Sequence, residues 1–96
     1  MDYTHPGAAF PDELVIVSGH MDSWDLGEGA MDDGGGFVTA WEAVRLLAAL
    51  KIFTNRTVRA IGWVDEESGG VGAVQCKLTR ASAIERAMTQ HPTPKT

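Results

Sequence analysis

Two short apolar segments with a helical pattern between them constrain this chain more than any other feature. Leu14-Val15-Ile16-Val17 is continuous, rich in β-branched residues and too short for a helix. It therefore reads as a buried strand, stopping at Ser18-Gly19-His20. Thr57 to Val64 reads as a second strand, with Val58, Ala60, Gly62 and Val64 on one face and Arg59, Ile61 and Trp63 on the other. Between the two, Phe37, Trp41, Val44, Leu47 and Ala48 recur at spacings of three and four. That period predicts a helix from about Gly35 to Leu50, with Asp32 or Asp33 near its N-cap. Strand, loop, helix, strand is a βαβ unit, whose crossover makes the two strands a parallel pair. Parallel strands are buried on both faces, and two of them cannot form a stable doubly covered sheet. The pattern therefore asks for more sheet than these two runs supply.

The flanks are less regular. Residues 1–13, with His5-Pro6-Gly7 and Phe10-Pro11-Asp12, read as an irregular lead-in. Residues 21–33 are polar and acidic, with Gly27 and Gly29, and form a long loop; such loops are usually functional or disordered. Beyond Asp65-Glu66-Glu67-Ser68 and Gly69-Gly70, a second helix is expected from about Val71, and Ala81 to Met88 could continue it. His91 to Thr96 reads as a frayed tail.

Charge excludes some partners. The chain has 96 residues, 13 acids and 8 bases, for a net charge of −5. The first 44 residues hold nine of the acids and no Lys or Arg, so a nucleic acid or an anionic membrane surface finds nothing to hold there. No apolar run approaches the ~18 residues of a membrane span. Met1-Asp2-Tyr3 has neither the basic start nor the apolar core of a signal peptide. A single cysteine, Cys76, rules out an internal disulfide and a thiolate metal cluster.

The chemistry gathers where parallel sheets bind ligands, past the carboxyl ends of their strands. The first strand ends at His20-Met21-Asp22, the second at Asp65-Glu66-Glu67, and the acidic loop closes with Asp32-Asp33 at a helix start. His20 and Asp22 share a face of an extended strand end, where a carboxylate can accept the second ring N–H of a ligating histidine; a solvated His beside a turn-forming Asp fits the pair equally. Adjacent carboxylates such as Glu66 and Glu67 repel unless one protonates or a cation intervenes. A divalent metal resolves this, one Glu ligating while the other stays free as general base; a solvated acidic turn is the bland alternative. Asp32-Asp33 suits an N-cap, but one Asp suffices for that and the second is spare. The three glycines that follow do not make a phosphate cradle, because the flanking carboxylates would repel phosphate and no Gly-x-x-x-x-Gly-Lys pattern exists. Trp24, in the acidic loop, could border a pocket, and Asn55-Arg56-Thr57 is a glycosylation sequon with meaning only in a secreted chain.

Ser18-Gly19-His20-Met21-Asp22-Ser23-Trp24-Asp25, Gly29-Ala30-Met31-Asp32-Asp33-Gly34-Gly35-Gly36 and Trp63-Val64-Asp65-Glu66-Glu67-Ser68-Gly69-Gly70-Val71-Gly72-Ala73 resemble the cocatalytic di-zinc exopeptidases in order, spacing and flanking residues. The resemblance runs roughly from Leu14 to Leu78. It implies an α/β fold, a βαβ fragment of a three-layer αβα zinc-exopeptidase domain with a mainly parallel sheet. Residues 1–13 would be a lead-in, 14–78 the N-terminal part of the catalytic domain, and 79–96 a divergent C-terminal tail. It also implies roles. His20 would ligate one Zn2+, Asp32 would bridge two, and Glu67 would ligate the second. Glu66 would be the general base toward the attacking water, Asp22 would orient His20, and Asp33 would cap the helix or support the ligands. The substrates implied are small peptides cleaved at a terminus, and the compartments implied are secreted or lysosomal.

One departure bears on activity. Family members carry two further ligands, an Asp and a His, and neither Glu85, within a helical pattern, nor His91, in the tail, matches them. Two ligands per zinc, one shared, fall short of the usual three. The chain alone is therefore expected to be a fragment with weak zinc binding and no peptidase activity. The alternatives are a non-catalytic remnant acting as an interaction or metal-binding module, and a calcium-binding loop protein. His20 argues against the latter, since calcium takes oxygen ligands.

Overall fold

A computed structural model describes residues 1–79. Strand β1 covers Asp2–His5, β2 Phe10–His20 and β3 Arg56–Trp63, with helix α1 at Gly35–Ala49 between β2 and β3. Residues 71–79 are helical and are designated α2. The further helical pattern at 81–88, Glu85, His91 and the tail lie outside the described residues.

The βαβ unit forms as its periodicity predicts. β2 and β3 pair in parallel, Leu14 opposite Thr57 through to His20 opposite Trp63. The helix occupies nearly the expected span. Its C-terminus closes with Lys51 at φ 54, Ile52 N–H donating to Leu47 O at 2.9 Å and Lys51 N–H to Ala48 O at 3.2 Å. This is a Schellman motif with Lys where glycine is usual.

The lead-in departs from expectation. Residues 1–13 are not irregular throughout: β1 pairs antiparallel with β3, Asp2 opposite Ile61 to His5 opposite Val58, and β2 starts at Phe10 rather than Leu14. The sheet order is β1-β3-β2, so the sheet is mixed, one parallel and one antiparallel pair. Pro6 falls in the turn between β1 and β2, as a proline should. Pro11 sits in an edge strand, where no ladder N–H is required, and the register slips there, Phe10 facing Arg56 while Leu14 faces Thr57. The buried Thr57 hydroxyl secures this corner, accepting Gly7 N–H at 3.0 Å and donating to Pro11 O at 2.7 Å.

Helix α1 packs on all three strands. Val44 is fully buried, with Ala40 beside it and Ala60 and Ile61 contributed by β3. Burying a valine side chain contributes roughly 2 kcal/mol, so this is a small core. An aromatic stack extends it, Tyr3 of β1 on Trp41 at 5.4 Å and Phe37 on Trp41 at 5.7 Å between ring centroids. Tyr3 is what ties β1 to the helix. The run Leu14–Val17 is a strand but not a buried one: Leu14 and Val17 are half-buried, and Val15 and Ile16 remain 44% and 47% exposed, β2 being an edge strand of the described sheet. Among the described residues, no helix is long and apolar enough to cross a membrane.

Candidate metal centre

The parallel register places His20 and Trp63 side by side at the carboxyl edge of the sheet. Beyond them the chain enters two acidic turns. The first is a wide helical turn, Ala30–Gly34, closed by Gly34 N–H donating to Gly29 O at 2.7 Å. Asp32 and Asp33 lie inside it with extended rather than helical φ, −120° and −128°, and a cis peptide bond joins them. The second is residues 65–70. Asp65 takes a left-handed φ of 57°, which Asp tolerates, and Gly70 N–H returns to its carbonyl at 2.8 Å.

His20 is the hub. Its side chain is only 10% exposed, with Nε2 3.0 Å from Asp32 Oδ1 and 3.8 Å from Glu66 Oε2. On the other side of the ring, Nδ1–H donates to the carbonyl oxygen of Asp22 at 2.9 Å, while the Asp22 carboxylate stands off at 3.5 Å. The ring is thus oriented from residue 22, through the main chain more than through the side chain. Burial opposes a charged ring here. The Asp32 carboxylate, the Asp22 carbonyl and the Glu66 charge outweigh it and raise the His20 pKa above 6.5.

The Asp22 carboxylate has a different partner. Oδ2 accepts the Glu67 N–H at 3.1 Å, and Oδ1 is buried without a hydrogen bond. Burial favours the neutral acid, but the main-chain amides of Glu66 and Glu67 and the His20 ring prevail, holding Asp22 below its ordinary 3.8. Asp22 therefore links the end of β2 to the turn after β3.

One ligand atom each from His20, Asp32 and Glu67 lies within 4.8 Å of the others. The Asp32 side chain is 81% exposed and faces open space, while Glu67 is half-buried. One imidazole nitrogen with two carboxylate oxygens suits zinc or a similar transition ion, and the nitrogen disfavours calcium. Glu66 sits beside the group, 54% exposed. A cavity of about 260 Å³ adjoins it, with Trp24 and Met31 on its walls together with Asp32 and Glu67. Trp24, expected to border a pocket, does so.

Asp33 does more than cap a helix. Its Oδ1 accepts Gly36 N–H at 3.0 Å, the expected capping bond, and its Oδ2 accepts His20 N–H at 3.0 Å. Sequence reasoning missed the second bond, which spans 13 residues. The available signal was Gly19. A Cβ there would meet the Phe37 backbone and come 2.6 Å from Asp33 Oδ2, so only glycine lets helix and strand approach this closely.

Sequence comparison identifies the family. The model of peptidase family M28 matches residues 3–88. Carboxypeptidase Q of Xenopus laevis is 55% identical over 69 residues, 72% of this chain and 15% of the relative, and that of Homo sapiens is 54% identical over the same length. Aminopeptidase Y of Saccharomyces cerevisiae is 36% identical over 63 residues, 66% of this chain and 11% of the relative. The chain thus spans about 15% of the length of the carboxypeptidase Q relatives it matches. No solved structure matches it. Since a single family model accounts for nearly all of the sequence, strand-end motifs included, the chain belongs to peptidase family M28.

Proposed function

We propose that this chain carries part of the active site of a zinc-dependent exopeptidase that hydrolyses small peptides. The convergence of His20, Asp32 and Glu67 at one sheet edge supports this reading most directly. Relatives named as a carboxypeptidase and an aminopeptidase share terminal peptide cleavage, and the proposal stands at that level. His20 would hold one ion, Glu67 a second, and the exposed Asp32 both. Zinc, when bound, lowers the pKa of water and polarises the scissile carbonyl. Glu66, solvent-accessible and adjacent, would take a proton from the attacking water and pass it to the leaving amine. Asp22 positions both sides at once, with its carbonyl on the His20 ring and its carboxylate on the Glu67 amide.

Among the described residues, three side chains divided between two ions leave each with two, against the three of a typical catalytic zinc. The chain by itself is therefore proposed to bind zinc weakly and to lack turnover. A secreted or lysosomal setting fits the sequon, since Asn55 is exposed in the bend before β3. Calorimetric titration with Zn2+ tests the site. His20→Ala and Glu67→Ala should each abolish the binding seen for the unaltered chain, and a dipeptide assay with added zinc should give no product. Zinc affinity indifferent to both substitutions would overturn the assignment. Product release that depends on Glu66 would show instead that the chain is a working enzyme.

A further inference from the structure

The geometry points to Asp33 as a positioning residue that presets the His20–Asp32 pair for a cation. This rests on the zinc-site reading above. The two residues lie on different elements, His20 at the end of β2 and Asp32 in the turn that leads into α1. Something must fix one element against the other if Nε2 and Oδ1 are to stay 3.0 Å apart with Asp32 itself 81% exposed. Asp33 is the direct tie. One carboxylate oxygen accepts the His20 main-chain N–H and the other the Gly36 N–H of the first helical turn, both at 3.0 Å. A carboxylate bonded through both oxygens to two main-chain amides cannot rotate without losing one of them. Charge strengthens both bonds.

The surroundings are shaped to this clamp. A Cβ at Gly36 would collide with the Asp33 carboxylate, and one at Gly19 would fall 2.6 Å from its Oδ2. Glycine at both positions leaves room for the bridge, one beneath each end. Asp33 does not belong to the His20–Asp32–Glu67 ligand group. Its contribution is to spacing, and loss of a residue that orients ligands typically weakens metal binding about 10- to 100-fold.

The test uses the full chain with Zn2+ and Co2+ as probes. Asp33→Asn keeps size and one good acceptor but turns an N–H donor toward one of the two amides. It should weaken Zn2+ binding by about 10- to 100-fold, alter the visible spectrum of the Co2+ complex, and speed hydrogen exchange at the His20 and Gly36 amides of the metal-free chain. Asp33→Ala should go further in all three. If Asp33→Asn lowers thermal stability while the Co2+ spectrum and Zn2+ affinity stay as they were, Asp33 is only a helix cap and the inference fails. Unchanged exchange at both amides also overturns it. The two failures remain separable. If His20→Ala leaves Zn2+ affinity unaltered, the metal-site reading falls and takes this one with it. If His20→Ala abolishes binding and Asp33→Asn does not change it, only the role of Asp33 is lost.

Discussion

The two acidic turns begin alike and end differently. Each presents adjacent carboxylates at the same edge of the sheet, Asp32-Asp33 before α1 and Glu66-Glu67 after β3. Each contributes one carboxylate to the candidate ligand group, Asp32 and Glu67. The partners left over diverge. Asp33 is bonded through both oxygens to main-chain amides, whereas Glu66 is half-exposed and no closer than 3.8 Å to the His20 ring. One spare carboxylate is committed to architecture and the other is left accessible. Like charges side by side thus acquire different tasks from what surrounds them, and nothing in the dipeptides themselves distinguishes them.

Substitution should expose that asymmetry. The largest effect is expected beneath the first turn. Gly19→Ala forces a methyl group into the Phe37 backbone and should destabilise by up to about 3 kcal/mol in chemical denaturation. The second turn should be more forgiving, since Gly70 has open space around it and a φ of 74°, so Gly70→Ala meets only the left-handed backbone penalty of about 1 kcal/mol. Equal costs at the two glycines would break the comparison. Metal titration sharpens it further: the loss expected for Asp33→Asn should have no counterpart in Glu66→Gln, which leaves Zn2+ affinity near that of the unaltered chain.

Smaller effects follow from titration. The folded pKa of Asp22 lies below its ordinary 3.8, so Asp22 contributes stability above that value and loses it as pH falls through the folded pKa. Acid unfolding of Asp22→Asn, followed by circular dichroism, should lack this component. His20 has the opposite sign: its folded pKa lies above 6.5, so its contribution in the metal-free chain is complete below 6.5 and fades as pH rises through the folded value. The smallest effect is expected far from both turns. Arg45 and Glu42 pair at 2.6 Å on the exposed face of α1, where solvent screens them, and Glu42→Ala should leave the denaturation midpoint almost unchanged.

Local periodicity made the β2–α1–β3 order readable, and strand-end logic brought His20 and Asp22, Asp32-Asp33 and Asp65-Glu66-Glu67 to one edge, while the choice of Asp32 and Glu67 as ligands came from the resemblance to the di-zinc exopeptidases. What escaped was non-local. β1 has one large apolar side chain, Tyr3, and exists because β3 offers it a partner more than 50 residues away. Pro11 suggested a break, but an edge position spares a proline the need to donate. Asp22 was expected to reach the His20 ring with its carboxylate; that carboxylate instead meets an amide 45 residues on, and the carbonyl takes the ring. The bond from Asp33 to His20 has the same character. Hydrogen bonds between main chain and distant side chains leave no periodic trace.

The edge position of β2 has a practical consequence. Among the described residues its outer side is free of a neighbouring strand, and two β-branched residues, Val15 and Ile16, lie half-exposed along it. Such a margin is a template: it offers a row of donors and acceptors, with apolar side chains alternating above and below, to any extended peptide that drifts past. Produced by itself at high concentration, the chain should meet its own copies there first, and its solubility will be decided along β2 before its chemistry is decided at His20.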